Sequence, residues 1–409
     1  MTEGLDSAVS AARPDTATGG LLARARELAP FFDAHAEANE AAAVLAGEVV
    51  EAFHQHGLLG LWVPRELGGS ELGAVESLRV LEEVSRADAS TGWVLMAAAL
   101  ATGTGAVYLA DEAVAELFGK DRLPFIEGQG SFPNGTADVD GDGFRLTGKW
   151  SYGSGVRHAD HLHSAAIVRE NGRPRLGPDG SPEVRIFVTP RERAELDGNW
   201  DVLGLRATAS VDYSITDLHV PRAYTHVAPT ETPLRGGHIY TLGIPGFAII
   251  CHSGWALGVG RRALDELAAY VHTRGNRPGS LADSPSFHER FARAEADYRG
   301  ARALIYETWS DIQETLDRGD RLGTRQRTLA WLALNKATWT ASEVCMFVYT
   351  TAGGVALRRG VIQRLFRDMH AGTQHVTSGT PILQACGREL AGLAQGKVWA
   401  GLGQLVDPA

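Results

Sequence analysis

Cysteine is scarce in this sequence, and the few thiols are scattered. Cys251, Cys345 and Cys386 are the only cysteines among 409 residues, and no two of them have CxxC spacing. An odd, dispersed set of this kind excludes a disulfide framework and a cysteine-based zinc site. We therefore expect a protein of the reducing cytoplasm.

The sequence also lacks an excess of positive charge and a long uninterrupted apolar run. The formal net charge is −10, and no run of Lys and Arg forms a basic stripe, so nucleic acid is not an expected partner. The most apolar window, residues 92–110, is rich in Ala and Gly and has helical patterning, which favours a buried core helix over a membrane span. Residues 1–20 carry acids without an apolar segment, so we expect a short disordered tail, not a signal peptide or anchor.

The composition is that of a globular protein, 44% hydrophobic and 22% charged, and three different patterns of apolar residues follow one another along the chain. Apolar residues first recur at spacings of three and four, then alternate with polar residues around Gly/Asp turns such as D140-G-D-G143, and finally form four long amphipathic segments. These patterns predict an α+β protein with a helical domain (21–127), a β domain (128–235) and a C-terminal four-helix bundle (236–409). The predicted bundle helices cover 245–272, 286–317, 324–350 and 380–402.

Three patterns imitate known sites without completing them. GFRLTGK (143–149) begins like a phosphate loop, but Trp150 stands where a magnesium-binding Ser or Thr is needed, and the segment alternates as a strand. GTGAVY (103–108) lacks the third glycine of a dinucleotide fingerprint and lies within a helical pattern. His161 and His163 share a strand face, yet no third ligand cluster accompanies them. Nucleotide hydrolysis, a nicotinamide-binding domain and a metal site are therefore not expected.

Several short motifs, in order along the chain, resemble those of the acyl-CoA dehydrogenases. They are VPRELGG (63–69), GKWSYGSG (148–155), GLRATASVDYSITDLHVP (204–221), TAGG (351–354) and RLFRDMHAG (364–372). The resemblance implies an acyl-CoA dehydrogenase-like fold with an N-terminal helical domain, a middle β-barrel domain and a C-terminal four-helix bundle.

The carboxylate base of the dehydrogenases is missing. In that family a glutamate follows the Arg-Asp pair, nine residues after the Arg; here that position is Val376, with His375 beside it. The other known location, the first bundle helix, holds no Asp or Glu from Thr232 to Leu264.

A branch of the family performs oxygenation on the same scaffold, and three segments resemble it specifically. RADASTGWV (86–94), WSYGSGVRHAD (150–160) and RDMHAGTQH (367–375) are similar to motifs of the two-component flavin-dependent monooxygenases. The resemblance implies a cytoplasmic homotetramer that takes reduced flavin (FMNH2 or FADH2) from a separate NAD(P)H:flavin reductase. With O2 it would form a flavin C4a-hydroperoxide and hydroxylate a small organic substrate, which could be an aromatic, an indole, a polyketide or an amine nitrogen.

The resemblance also implies roles for individual residues. His375, whose unperturbed pKa is near 6.5, would move the substrate proton, and Ser154 or Ser151 would accept the flavin N5–H. Arg274, Thr351, Gly353 and Gly354 would reach the cofactor of a neighbouring subunit. The implied cofactor-binding residues are Trp150, Ser151, Ser154, Arg206, Thr208, Ser210, Arg274, Thr351, Gly353 and Gly354, and the implied substrate pocket contains Trp93, His252 and His370.

Structural roles fit some of these residues equally well. His375 could cap a helix, Trp150 could be core packing, and the two serines could satisfy backbone groups. The histidine that phenol-hydroxylating members carry about ten residues after the motif serine is absent, its neighbourhood being Leu100, Ala101 and Thr102. Two other classes stay open: a non-redox dehydratase or cyclase of this fold, and an acyl-CoA dehydrogenase with an unrecognised base.

Overall fold

The computed structural model describes residues 18–177, 180–274 and 280–407. Residues 1–17 of the predicted tail lie outside these ranges. The first helix begins at Thr18, three residues before the predicted start of the helical domain.

The N-terminal part is helical, as predicted. Its most buried helix begins behind Asp88, whose carboxylate accepts hydrogen bonds from Thr91 N (2.9 Å) and Thr91 Oγ1 (2.7 Å). This helix, α4, is long and apolar enough to cross a membrane, as is the segment 238–273, but 83% and 89% of their apolar windows are buried inside the fold. The helices are α1 (Thr18–Ala42), α2 (Gly47–Gln55), α3 (Ala74–Ala87), α4 (Ala89–Tyr108) and α5 (Asp111–Phe118).

The middle part is a mixed sheet. The predicted hairpin at Asp140–Gly143 is confirmed, with Gly141 in the left-handed region (φ 60°). The strands are β1 (Ile126–Glu127), β2 (Gly135–Asp140), β3 (Gly143–Gly153), β4 (His161–Glu170), β5 (Arg173–Pro174), β6 (Val184–Pro190), β7 (Glu195–Leu196), β8 (Val211–Pro221) and β9 (Thr225–Ala228).

The expectation of a β-barrel is wrong. The strand order is β7-β8-β3-β2-β4-β6-β9, with β1 and β5 added on β4, and the two end strands do not pair with each other in the described parts of the chain. Closure would require those edges to meet. β7 has only two residues, both paired to β8, and β9 pairs with β6 before the chain leaves towards the bundle. The sheet therefore stays open.

The C-terminal part is a helical bundle whose last predicted helix is too long. The chain leaves that helix at Leu390 and passes Gly392 and Gly396, both with φ of 74°, into a short hairpin in place of the helix predicted to 402. A further helix, α9 (Val361–Gly372), precedes it and packs on the bundle. The elements are α6 (Gly243–Arg274), α7 (Pro285–Asp317), α8 (Thr324–Ala352), α9 (Val361–Gly372), α10 (Thr380–Leu390), β10 (Val398–Ala400) and β11 (Gln404–Val406).

Candidate active site

The indole of Trp93, on α4, is the point where the predicted site residues meet. Its Nε1 donates a hydrogen bond to Ser154 Oγ (3.1 Å), directly after β3. Its ring centroid lies 5.1 Å from that of His252, 4.9 Å from Trp255 and 5.8 Å from His375. Helices α4 and α6, the end of β3 and the loop after α9 therefore converge on one aromatic cluster.

Close approach of the helices holds this cluster together. Trp255 Nε1, on α6, donates to Ala89 O (2.9 Å) at the start of α4. Gly372, the last residue of α9, lies against the six-membered ring of Trp255, so that a Cβ there would clash with the ring. The glycine thus permits α9 to deliver the following loop, with His375, to Trp93.

A chain of buried hydroxyl groups extends from the cluster. Ser154 Oγ and Ser210 Oγ are 2.8 Å apart, and Ser210 Oγ and Thr208 Oγ1 are 2.6 Å apart. Thr208 Oγ1 in turn donates to Leu205 O (2.8 Å). Leu205 and Ala209 flank the segment with φ of 55° and 45°, conformations that non-glycine residues rarely adopt. Strained backbone of this kind is found where the surrounding structure fixes a functional group.

The Arg-Asp pair of α9 holds that strained segment. Asp368 is fully buried, and its Oδ1 accepts the Leu205 N–H (2.6 Å). Arg367 Nη1 donates to Leu203 O (2.9 Å) and pairs with Glu40 (2.6 Å). Burial, with contributions from the nearby carboxylates, raises the pKa of Asp368 to about 7. Arg367 and Asp368 therefore hold the backbone of the segment that carries Thr208 and Ser210.

His375 has two kinds of contact. Its Nδ1 lies 2.8 Å from Thr377 Oγ1 and accepts the Thr377 N–H (3.4 Å), capping the turn at 376–378, so the structural interpretation holds. Its ring also stacks on His252, with centroids 4.0 Å apart and an interplanar angle of 30°. With Nδ1 an acceptor, the ring hydrogen resides on Nε2.

Both histidines are neutral near pH 7. Burial lowers the pKa of His375 to about 4, so the unperturbed value near 6.5 does not apply in the folded protein. Burial, reinforced by His375, lowers the pKa of His252 well below its ordinary value. Neutral imidazoles both donate and accept hydrogen bonds, which suits the binding of a polar aromatic group.

Three other predicted residues are not part of the aromatic cluster around Trp93. Trp150 is core packing: its Nε1 donates to Ala165 O (2.8 Å) and its ring stacks on Tyr213 (5.4 Å). Ser151 is the half-buried residue next to it on β3. His370 Nδ1 bonds to Phe366 O (2.7 Å) on its own helix. In the part of the chain that the structure describes, none of these three forms a hydrogen bond or a ring contact with Trp93.

Arg206 faces away from the hydroxyl chain. It lies 4.0 Å from Glu40 and 3.7 Å from Asp201, in a cleft of about 370 Å³ lined also by Arg359, Arg364 and Arg367. Thr351, Gly353 and Gly354 lie at the end of α8, and Arg274 ends α6, its side chain being outside what the structure describes. Thr351, Gly353 and Gly354 form no hydrogen bond with Trp93 among the described residues.

The sequence motifs do not single out two residues that lie near the site, Trp255 and Glu127. Trp255 lies in an apolar helical run, where it looks like any core residue. Glu127, in the segment FIEGQG, is 1% exposed and lies next to the Ser154–Gly155 segment. No motif surrounds it, and a lone glutamate near a turn gives no sequence signal of burial.

Comparison with known proteins agrees with this architecture. Residues 23–116 match the family model described as "Acyl-CoA dehydrogenase, N-terminal domain", and residues 250–379 match "Acyl-CoA dehydrogenase, C-terminal domain". An indole-3-acetate monooxygenase of Pseudomonas putida is 31% identical over 349 residues, covering 84% of this chain and 86% of that protein. The oxygenase subunit HsaA of a flavin-dependent monooxygenase from Rhodococcus jostii is 24% identical over 87% of this chain and 94% of its own. The structure of XiaF from Streptomyces sp., in complex with FADH2 and glycerol, superposes with a TM-score of 0.82 at 19% identity, covering 95% and 98% of the two chains.

Proposed function

Because this chain belongs to the acyl-CoA dehydrogenase family, and within it to the flavin-dependent monooxygenases, we propose that reduced flavin and an indole-like aromatic substrate meet at Trp93. The chain is the oxygenase component of a two-component system, and its reduced flavin comes from a separate reductase. The observation that supports the location is the contact between an aromatic cluster and a buried hydroxyl chain at Ser154.

The residues at Ser154 fit the edge of a flavin ring. That edge alternates N–H donors and carbonyl acceptors, and Ser154, Ser210 and Thr208 are hydroxyl groups that can serve either kind of partner. Reduced flavin supplies two electrons to O2, so that one oxygen atom enters the substrate and the other leaves as water. Ser154 would accept the flavin N–H, and the strained segment at Leu205–Ala209 would keep the hydroxyl groups in place.

The rings of His252, Trp255 and His375 would bind the substrate beside Ser154. The two neutral imidazoles offer a donor and an acceptor to a polar aromatic group, and the surrounding apolar residues exclude water. His375 Nε2 would donate to or accept from the substrate atom that changes its protonation during oxygenation. An indole is favoured over a phenol because the 31% identical relative is an indole-3-acetate monooxygenase.

The remaining predicted residues belong to an assembly that we propose to be a cytoplasmic homotetramer. Exposed apolar side chains lie on α8 and α10, including Trp339, Met346 and Leu383, each 43% exposed. A bundle-to-bundle contact over this face would place Arg274 and the Thr351–Gly354 segment near a neighbouring subunit. Ser151 would support the flavin from the sheet side, while Trp150, Arg206 and His370 have contacts that favour structural roles.

An isotope experiment tests the proposed function. Purified protein is mixed with chemically reduced FMN or FAD, indole-3-acetate and 18O2, and the product is analysed by mass spectrometry. We expect one 18O atom in the product and no turnover with NADH and oxidised flavin until a reductase is added. Hydrogen peroxide formation without labelled product, across a panel of indoles and phenols, would contradict the proposal.

A further inference from the structure

Glu127 is a buried carboxyl group with an unused oxygen. It ends β1, is 1% exposed, and its Oε2 has no hydrogen-bond partner among the residues that the structure describes. An unsatisfied polar atom in the interior is costly, so each such atom in a native protein requires an explanation such as an absent ligand or water. The family motifs in this sequence do not include Glu127.

The surroundings of Glu127 are the elements that carry the site. Its Cγ lies 3.5 Å from the position that a Cβ on Gly155 would occupy, and Gly155 directly follows Ser154. The same position lies 3.0 Å from Val94 Cγ1, and Val94 directly follows Trp93 on α4.

Helix α6 also approaches Glu127. Burial raises the pKa of the Cys251 thiol, and Glu127 is close enough to raise it further whenever its carboxyl is ionised; Cys251 directly precedes His252. The Cys251 thiol donates to Met96 O on α4 (3.4 Å), so α4 and α6 are in contact beside the carboxyl. Glu127 therefore lies where β1, the end of β3, α4 and α6 come together, next to the cluster around Trp93.

The surroundings of Glu127 favour its neutral form. Burial raises its pKa well above the ordinary value, and the effect that opposes burial is the backbone hydrogen bond from Gly128. No Lys or Arg contributes to that balance. A neutral carboxyl without a cation partner is unsuited to an ion pair but retains a free carbonyl acceptor or hydroxyl donor.

We propose that the free oxygen of Glu127 is a specificity-determining hydrogen-bond acceptor for an N–H donor of the substrate, such as the ring N–H of an indole. The assignment rests on the proposed function, because it requires that an aromatic substrate binds beside the cluster that contains Trp93 and His252. A site built to bind a donor rejects an isostere that lacks it, since the buried acceptor is then left unpaired.

Paired ligands and paired variants test this assignment. Calorimetry on the full-length protein, without flavin, would measure the affinity of indole-3-acetate and of benzothiophene-3-acetate, in which sulfur replaces the ring N–H. Glu127→Met keeps the length of the side chain and removes its polar atoms, while Glu127→Gln keeps a carbonyl acceptor. We expect Glu127→Met to weaken indole-3-acetate binding by about 10- to 100-fold and to change benzothiophene-3-acetate binding by less than about threefold.

The controls separate recognition from folding. Glu127→Gln should stay within about fivefold of the parent for indole-3-acetate, and thermal melts of both variants should show folded protein, since an apolar replacement removes an unpaired polar group. Equal losses for both ligands, or no change for either, would assign Glu127 to the core and overturn the proposal. Absence of any affinity of the parent protein for both ligands would also overturn it. Failure of the proposed function is a different result, namely no 18O transfer by the parent protein to any substrate.

Discussion

At the scale of single residues, His375 caps the turn at 376–378 and also stacks its ring on His252. Two substitutions separate these two roles. Asn at this position can still accept the Thr377 N–H, whereas Ala cannot. We expect both His375→Asn and His375→Ala to lower labelled product by about 10²–10⁴-fold, since both lose the ring nitrogen that we propose transfers the substrate proton. Only the Ala variant should lose about 1 kcal/mol of stability in denaturant unfolding. Oxygenation by His375→Asn at the parent rate from pH 6 to 9 would show that the ring has only its structural role.

Ser154 connects Trp93 to the hydroxyl chain, and a second buried serine provides its control. Ser154→Ala removes both hydrogen bonds, so product per flavin oxidised should fall roughly 10- to 100-fold, with the missing electrons recovered as hydrogen peroxide. Affinity for the substrate should change little. Ser164→Ala breaks a comparable buried bond to Tyr213 on the same sheet (2.8 Å). If both variants lose the same share of product to peroxide, Ser154 has no special role.

Asp368 makes the stability of the fold depend on pH in a direction that can be derived. Its pKa rises from 3.8 to about 7 on folding, so the stability associated with the neutral form is complete below 3.8 and is lost as the pH rises towards 7. Asp368→Asn is neutral at every pH and can still accept from Leu205. The unfolding free energy of the variant minus that of the parent should therefore increase with pH, by about 1.4 kcal/mol per unit between pH 5 and 6.5. Parallel pH profiles of the two proteins would show that Asp368 is ionised throughout.

At the scale of secondary-structure elements, the contact of α9 with α6 depends on a glycine. Gly372→Ala would place a methyl group against the Trp255 ring and move α9, and with it His375, away from Trp93. We expect a loss of about 1–3 kcal/mol in stability and weaker substrate binding in calorimetry. Gly387→Ala in α10 is the matched control: no atom lies within 4 Å of the added Cβ, so helix propensity should leave stability equal or higher. Equal stability of the two variants would contradict the close contact.

Local sequence patterns predicted the presence of helices and strands better than the ends of the helices or the closure of the sheet. Alternation of apolar and polar residues predicted a β domain, and β3 and β8 do bury alternate residues along much of their length; the Asp140–Gly143 turn was recognisable from its own residues. The fourth bundle helix was drawn too long because Gly392 and Gly396 end it through left-handed turns that a count of apolar residues ignores. The expectation of a barrel came from the family resemblance. Whether a sheet closes depends on whether its two edge strands pair, and this long-range contact leaves no local signal in the sequence.

At the scale of the whole molecule, the exposed apolar face of α8 and α10 carries the prediction of assembly. The double variant Met346→Glu, Leu383→Glu places charge on that face and should convert a tetramer into smaller species in light scattering at micromolar concentration. Leu176→Glu changes an apolar, 62% exposed residue in the connection between β5 and β6 and should leave the assembly intact. A parent protein that is already monomeric would contradict the arrangement.

Sequence motifs found those site residues that come together within one subunit. Trp93, Ser154, Ser210 and His375 lie in the quoted motifs, and they do come together in the fold with His252, which lies outside those motifs. Their chemical roles stay predictions. The pKa of His375 and the burial of Glu127 could not be obtained this way, since both depend on what distant segments place around a side chain.

The contact between Trp93 and His375 has a consequence for biosynthesis. The two residues are separated by about 280 positions, and at ~5–20 residues per second the ribosome needs roughly 14 to 56 s to make the intervening chain. Once residue 154 has been made, the indole of Trp93 has Ser154 available, but the loop after α9 is still missing for the rest of that interval. A nascent chain stalled before α9 should therefore expose this apolar surface to chaperones, which ribosome-bound crosslinking could detect.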